Sequence, residues 1–161
     1  MERYFEKISF NQFKIDIKDD TSLYEEYKLP IRKTKYSAGY DFMAIEDIEI
    51  KPGEIKKIPT GYKANFGSDE MLMLLVRSSM GFKYNIRMCN QVGIVESDYY
   101  NNQDNEGHLF IALQNEGDKV FNVKKGEAYA QGIFTKFLTC GDEVCEIRTG
   151  GIGSTDKKEG K

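Results

Sequence analysis

The chain has 161 residues, of which 40% are apolar and 30% charged. That length supports one sizeable core and leaves too little for two comfortable domains, and the composition is that of an ordinary soluble protein. Net charge is −3 with both signs mixed along the chain, which argues against a nucleic-acid-binding surface, and no apolar run approaches the ~20 residues of a membrane span.

The N-terminus, MERYFEKISF, carries charge throughout and lacks the apolar block of a signal peptide. TSLYEEYKL (21–29) is the single helix candidate, with Thr21 or Ser22 as N-cap and Glu25 as a capping-box partner for Ser22. Strand signals dominate after residue 35. IEIKPGEIKKIPTGYKANF reads as short β segments punctuated by Pro52-Gly53 and by Pro59 to Gly61. MLMLLV (71–76) is a continuous apolar run of the length of a buried strand. HLFIALQN and AYAQGIFTKF follow, separated by the turn-like segments EGDK and KKGE. Short strands at roughly 8–12-residue spacing predict an all-β sandwich or barrel. The last stretch, RTGGIGSTDKKEGK, has almost no apolar content and is expected to be mobile.

Cys89, Cys140 and Cys145 are odd in number and form no C-x-x-C pair, so they read as small apolar fillers in a reducing cytoplasm. His108 is the only histidine. Chemistry built on several histidines is thereby excluded, and metal-free or magnesium-assisted chemistry remains.

Four segments carry polar groups in places that chemistry could use, and each also has a plain structural reading. SAGYDFMA (37–44) puts Asp41 inside an apolar strand, where a carboxylate needs a partner or a task, unless it merely caps a turn. RSSMG (77–81) gathers Arg77, Ser78 and Ser79 at a strand end, which suits phosphate oxygens as well as a structural ion pair. GIVESDYYNN (93–102) ends an apolar run on Glu96 and Asp98 with two tyrosines behind. It is either a solvated turn or a site where a carboxylate takes a proton from water while Tyr99 covers a sugar or base. Gly150, Gly151 and Gly153, followed by Ser154 and Thr155, could curl backbone N–H groups around phosphates or simply be disordered.

Taken together, the segments resemble the five motifs of the homotrimeric deoxyuridine triphosphatase (dUTPase) family, in order, from about residue 30 to the end. AGYDFMA is similar to the first motif, RSSMG to the second, NQVGIVESDYY to the third, GEAYAQGI to the fourth and RTGGIGST to the fifth. The resemblance implies an all-β jelly roll (β-clip) spanning 1–161 as one domain, with an N-terminal extension (1–30) and a mobile C-terminal arm (146–161). It implies a homotrimer with active sites at subunit interfaces, located in the cytoplasm, with no nucleic-acid or membrane partner. The implied reaction is Mg²⁺-assisted hydrolysis of dUTP to dUMP and pyrophosphate, which cleans the nucleotide pool and supplies dUMP for thymidylate synthesis.

By the same resemblance Glu96 occupies the slot of the carboxylate that orients and deprotonates the attacking water. Asp41 helps place the waters of a metal held mainly by the substrate phosphates. Tyr99 lies against the deoxyribose, while Asn90 and the backbone around Gly93 and Ile94 read the uracil edge. Ser78, Ser79 and Gln131 hold phosphate oxygens, with Arg77 in support, and Arg148, Ile152, Gly153, Ser154 and Thr155 close over the nucleotide. The chain departs from the family pattern in placing Glu96 where Asp is usual, Ile152 where an aromatic is usual, and Ala128 where an arginine is usual. YNNQDNEGH is longer than the usual turn after the tyrosine, and the fifth motif is shorter between its arginine and its glycines. Two rival readings remain: a nucleotide-gated regulatory protein on this fold with weak hydrolysis, and the related dCTP deaminase. The deaminase's catalytic glutamate falls on the strand HLFIALQN, where this chain has Ala112.

Overall fold

The computed structural model describes residues 2–141, 148 and 150–152. Gly153, Ser154, Thr155 and Cys145 lie outside the described residues. Short runs rich in apolar residues, bounded by turns, fold into four antiparallel sheets. The largest places β6 (Glu70–Leu75) between β11 (Ala128–Lys136) and β8 (Gly93–Glu96), with β2 (Tyr40–Met43) on the far side of β11. A second joins β4 (Ile55–Pro59), β9 (Phe110–Asn115) and β7 (Ile86–Met88). Two-stranded sheets pair β1 (Tyr4–Lys7) with β5 (Tyr62–Asn65) and β3 (Ile48–Ile50) with β10 (Phe121–Val123). The result is the expected all-β jelly roll, its core formed by inward side chains such as Phe42, Leu72, Ile111 and Leu113.

The helices differ from expectation. Two were not read from the sequence: α1 (Phe10–Asp16) and α3 (Ser78–Tyr84). Ser9 caps α1 by accepting from the Gln12 N–H at 3.1 Å, and Ser9-x-x-Gln12 is a capping-box spacing that the sequence did display. The expected helix α2 exists as Thr21–Glu26, shorter than 21–29. Its cap is Asp20, which accepts from the Leu23 N–H at 3.0 Å, rather than Thr21 or Ser22. The run 71–76 is not buried on both faces. Leu72 and Leu74 point inward, whereas Met71, Met73 and Leu75 are half-buried on the outer face. Cys89 and Cys140 are exposed, so neither is the buried filler the sequence suggested.

The N-terminal segment packs as an aromatic layer. Phe13 is fully buried and stacks on Tyr27 with ring centroids 5.5 Å apart, and Tyr24 meets Phe13 edge-on at 5.2 Å. The same segment supplies a partner for the single histidine. His108 has no solvent exposure, its Nδ1 lies 2.6 Å from the Asp16 carboxylate, and its Nε2 accepts the Gly61 N–H at 2.9 Å. These partners fix one neutral tautomer, with the proton on Nδ1. A second proton would set N–H against N–H at Gly61.

Burial accordingly pushes the His108 pKa below the 6.5 of an unfolded histidine, although the Asp16 carboxylate pulls the other way. Between the folded and unfolded values the unfolded chain binds the extra proton more readily. This contribution to stability is therefore complete above about pH 6.5 and is lost as pH falls below it. Urea midpoints measured from pH 7.5 to 5.5 should decline over that window, and His108→Asn should flatten the decline.

Candidate active site

Two groups of polar side chains stand on the outer parts of the large sheet. The first surrounds Asp41, which β2 carries into the structure with only 7% of its surface exposed. Arg77 approaches one carboxylate oxygen at 3.4 Å and Lys33 the other at 3.8 Å, so the buried charge has partners. The register of β11 sets Gln131 directly across from Asp41, and its amide donates to the Val76 carbonyl at 3.1 Å. Gly39 makes that placement possible: a Cβ there would sit 2.3 Å from Gln131 Oε1. Ser78 and Ser79 belong to the first turn of α3 rather than to the strand end expected for them, and both are exposed. These groups share one open cavity. Lys33 was missed by the sequence reading, although the basic run preceding Ser37 was available as a signal.

The second group is built on β8 and the chain after it. Gly93 faces Leu74 on β6, and a Cβ on Gly93 would lie 3.0 Å from the Leu74 Cβ, so glycine lets the two strands close up. The turn before β8 bends through Gln91 at φ 60° and leaves Asn90 exposed. Glu96 ends the strand. Residues Ser97–Tyr99 then form a 3₁₀ turn. That turn points Tyr99 inward, and Tyr100 points elsewhere, to Glu6 and to an edge-on contact with Tyr4. The Tyr99 hydroxyl donates to the His108 carbonyl at 3.0 Å and accepts from the Asn105 amide at 2.8 Å, and burial raises its pKa.

Asn90, Gly93, Ile94, Glu96 and Tyr99 line one cavity together with Arg148 and Ile152. Arg148 reaches Glu96 at 3.3 Å and Asp98 at 3.7 Å, with its guanidinium carbon 5.6 Å from the Tyr99 ring centre. The Gly151 N–H donates to Asp104 at 2.7 Å, which ties this part of the arm to the loop after Tyr99. Ile152 is exposed at the rim. Phe110 lines the same cavity and was not expected there, nor was the contact from Asp104.

The two groups do not meet within the chain. Asp41 and Glu96 stand on strands separated by β11 and β6, and the register offsets them by four residues (Leu75 against Met71). At ordinary strand spacing and rise that is roughly 20 Å. Their cavities have no lining residue in common. The strip of sheet between them is apolar: in register, Ile133, Met73 and Ile94 lie side by side across three strands. Among the described residues no group of three or more histidines, cysteines or carboxylates is placed to hold a metal ion.

Comparison with known proteins gives a consistent picture. The dUTPase family model matches residues 25–155. A deoxyuridine 5'-triphosphate nucleotidohydrolase of Lactococcus lactis is 48% identical over 130 residues, covering 79% of this chain and 87% of the relative. One from Photorhabdus laumondii is 34% identical over 155 residues, covering 90% and 98%. Among solved structures, a dUTPase from Streptococcus mutans superimposes with a TM-score of 0.69 at 38% identity, covering 86% of this chain and 98% of that one. A mutant dUTPase from phage phi11 of S. aureus, described with a structural Mg(II) ion, shares the fold at 17% identity and a TM-score of 0.66, covering 91% and 98%.

Asp41 depends on its cations, and removing one exposes the cost of the buried charge. Arg77→Met should lower stability by roughly 1–3 kcal/mol in urea unfolding. Adding Asp41→Asn should recover part of that loss, whereas strict additivity of the two changes would mean that the pair is uncoupled.

Proposed function

This chain belongs to the dUTPase family, and we propose that it hydrolyses dUTP to dUMP and pyrophosphate at a site completed by a second and third copy of itself. One observation carries the assembly: the Asp41 group and the Glu96 group lie roughly 20 Å apart on one sheet face with an apolar strip between them. One triphosphate cannot engage both within a chain. A homotrimer that buries the strip would bring the Asp41 group of one protomer to the Glu96 group of another, and would also account for the half-buried Met71, Met73 and Leu75.

Within that site Glu96 holds and deprotonates the attacking water. Its position at the strand end leaves its carboxylate half-exposed beside Arg148, which fixes its orientation. Ser78, Ser79, Gln131 and Arg77 hold phosphate oxygens, and the backbone of Gly93 and Ile94 with Asn90 reads the base. Tyr99 stands against the sugar, where a ring clamped at its hydroxyl leaves no room for a 2′-OH. Arg148 and Ile152 approach from the arm, and Gly153, Ser154 and Thr155 would complete the closure. No covalent nucleophile is required, since this cleavage rests on positioning and charge neutralisation.

Magnesium fits the donor set in one way. A lone carboxylate already facing two cations offers no cage, which suits an ion that keeps its waters and rides on substrate phosphates. Asp41 would contact such an ion through water, and the ion would supply neutralisation of phosphate charge. We place the protein in the cytoplasm; no helix among the described residues is long and apolar enough to cross a membrane. The deaminase alternative is disfavoured by Ala112 on β9, which has no acid to offer.

The test is pyrophosphate release from dUTP in Mg²⁺. Glu96→Gln should reduce turnover by about 100-fold or more while nucleotide binding persists. Loss of binding in step with turnover would assign Glu96 a structural role. Glu96→Asp should keep or raise the rate if the slot tolerates the shorter acid. Binding of dUTP by the unaltered protein without pyrophosphate release would favour the regulatory reading.

A further inference from the structure

The family match starts at residue 25, so α1 and the chain before it lie outside it. Yet that segment is bonded to the loop that follows Tyr99 at two points. The Glu106 carboxylate accepts from the Ser9 backbone N–H at 2.9 Å and from the Ser9 hydroxyl at 2.5 Å. The Asp16 carboxylate meets His108 Nδ1 at 2.6 Å. Ser9 caps α1 and Asp16 ends it, so one short helix grips both ends of the stretch from Glu106 to His108.

That stretch stands directly behind the nucleoside-side cavity. The carbonyl of His108 accepts the Tyr99 hydroxyl at 3.0 Å, and its imidazole packs against Phe110 with ring centroids 4.3 Å apart. Tyr99 and Phe110 both line the cavity. Left to itself the loop is conformationally demanding: Asn101, Glu106 and Gly107 all have positive φ. Glu106 has a side chain in the left-handed region, a strain that persists only where surrounding contacts impose it. Its bonds to Ser9, with Lys63 at 3.7 Å, are those contacts.

We propose that the N-terminal segment is a positioning element for sugar selection: Ser9 and Asp16 anchor the Glu106–His108 stretch, and His108 thereby fixes how deeply the Tyr99 ring stands in the nucleoside cavity. This rests on the reading of Tyr99 as the ring that excludes a 2′-hydroxyl. Selection against an added hydroxyl depends on a wall that does not yield, and displacement of such a group by about 1 Å can change rates ~100-fold. Asp16 and His108 act through Tyr99 and touch no substrate themselves.

The test compares kcat/KM for UTP and dUTP in the full-length protein. Asp16→Ala and, separately, Glu106→Ala, which removes both acceptors facing Ser9, should each raise the UTP-to-dUTP ratio, by about tenfold for Asp16→Ala. Asp16→Asn, whose side-chain oxygen still accepts the Nδ1 proton, should return the ratio close to that of the unaltered protein. Ile50→Val, a packing change in β3 that lowers stability by about 1 kcal/mol, should leave it alone. Tyr99→Ala serves as the reference and should raise the ratio. If Tyr99→Ala raises it and neither Asp16→Ala nor Glu106→Ala does, the inference fails while the reading of Tyr99 stands. If Ile50→Val relaxes selectivity as much as Asp16→Ala, the effect is general loosening and the inference is again overturned. If Tyr99→Ala leaves the ratio unchanged, the sugar-wall reading falls and this inference with it.

Discussion

The pairing of β6 with β11 on one side and β8 on the other is the constraint on which the rest of this molecule depends. Strand pairing has a period of two, so one register decides which face every side chain in three strands occupies. Here it turns Leu72 and Leu74 into the core and Met71, Met73, Ile94 and Ile133 outward. The same choice puts Gln131 and Glu96 on the outer face, at opposite ends of the apolar strip. A shift of one residue would bury Glu96 and expose the core leucines together. Site and core are therefore specified by a single set of backbone hydrogen bonds.

Glycine supports this arrangement at two points of close approach rather than through flexibility. At Gly93 any side chain would press on Leu74, and at Gly39 it would collide with the Gln131 amide. Both residues permit a neighbouring group to lie where the proposed chemistry needs it. The charges are handled differently on the two sides. Asp41 is buried and has Arg77 and Lys33 close by. Glu96 remains open to solvent and shares Arg148 with Asp98. An exposed carboxylate with one shared partner can exchange that partner for a water or a ligand, and a buried one held between two cations cannot do so cheaply.

The N-terminal segment joins these features from behind. Its aromatic rings cover the Tyr62 side of the core, and the Lys7 ammonium lies 4.1 Å from the Tyr27 ring centre, donating to the Glu25 carbonyl at 3.1 Å. Asp16 extends that layer to His108, whose other nitrogen is tied to Gly61. A fully buried histidine held on both sides serves as a strut rather than a proton carrier. The long loop after Tyr99 is braced internally as well: Asn102 donates to the Tyr99 carbonyl and to Asn105, each at 2.8 Å.

Strand spacing and turn residues were enough to specify an all-β sandwich or barrel, and the order of the five motifs the dUTPase family with its jelly roll, because each is a short-range pattern written along the chain. The identities of Asp41, Arg77, Glu96 and Tyr99 as the residues to watch came from the same source. The helices α1 and α3 were less legible: α1 has only a serine–glutamine cap to announce it, and α3 has no side-chain cap at all. Cys89 and Cys140 were misread because apolar residue type does not say which side of a turn faces water. What only the tertiary structure decided are relations between distant parts of the chain. Asp16 meets His108 across 92 positions and Ser9 meets Glu106 across 97, while Asp41 and Glu96, alike in sequence promise, are held apart by two intervening strands. Local patterns fix what each segment can become, but closing loops of that length depends on the whole core assembling, and no local signal encodes its outcome.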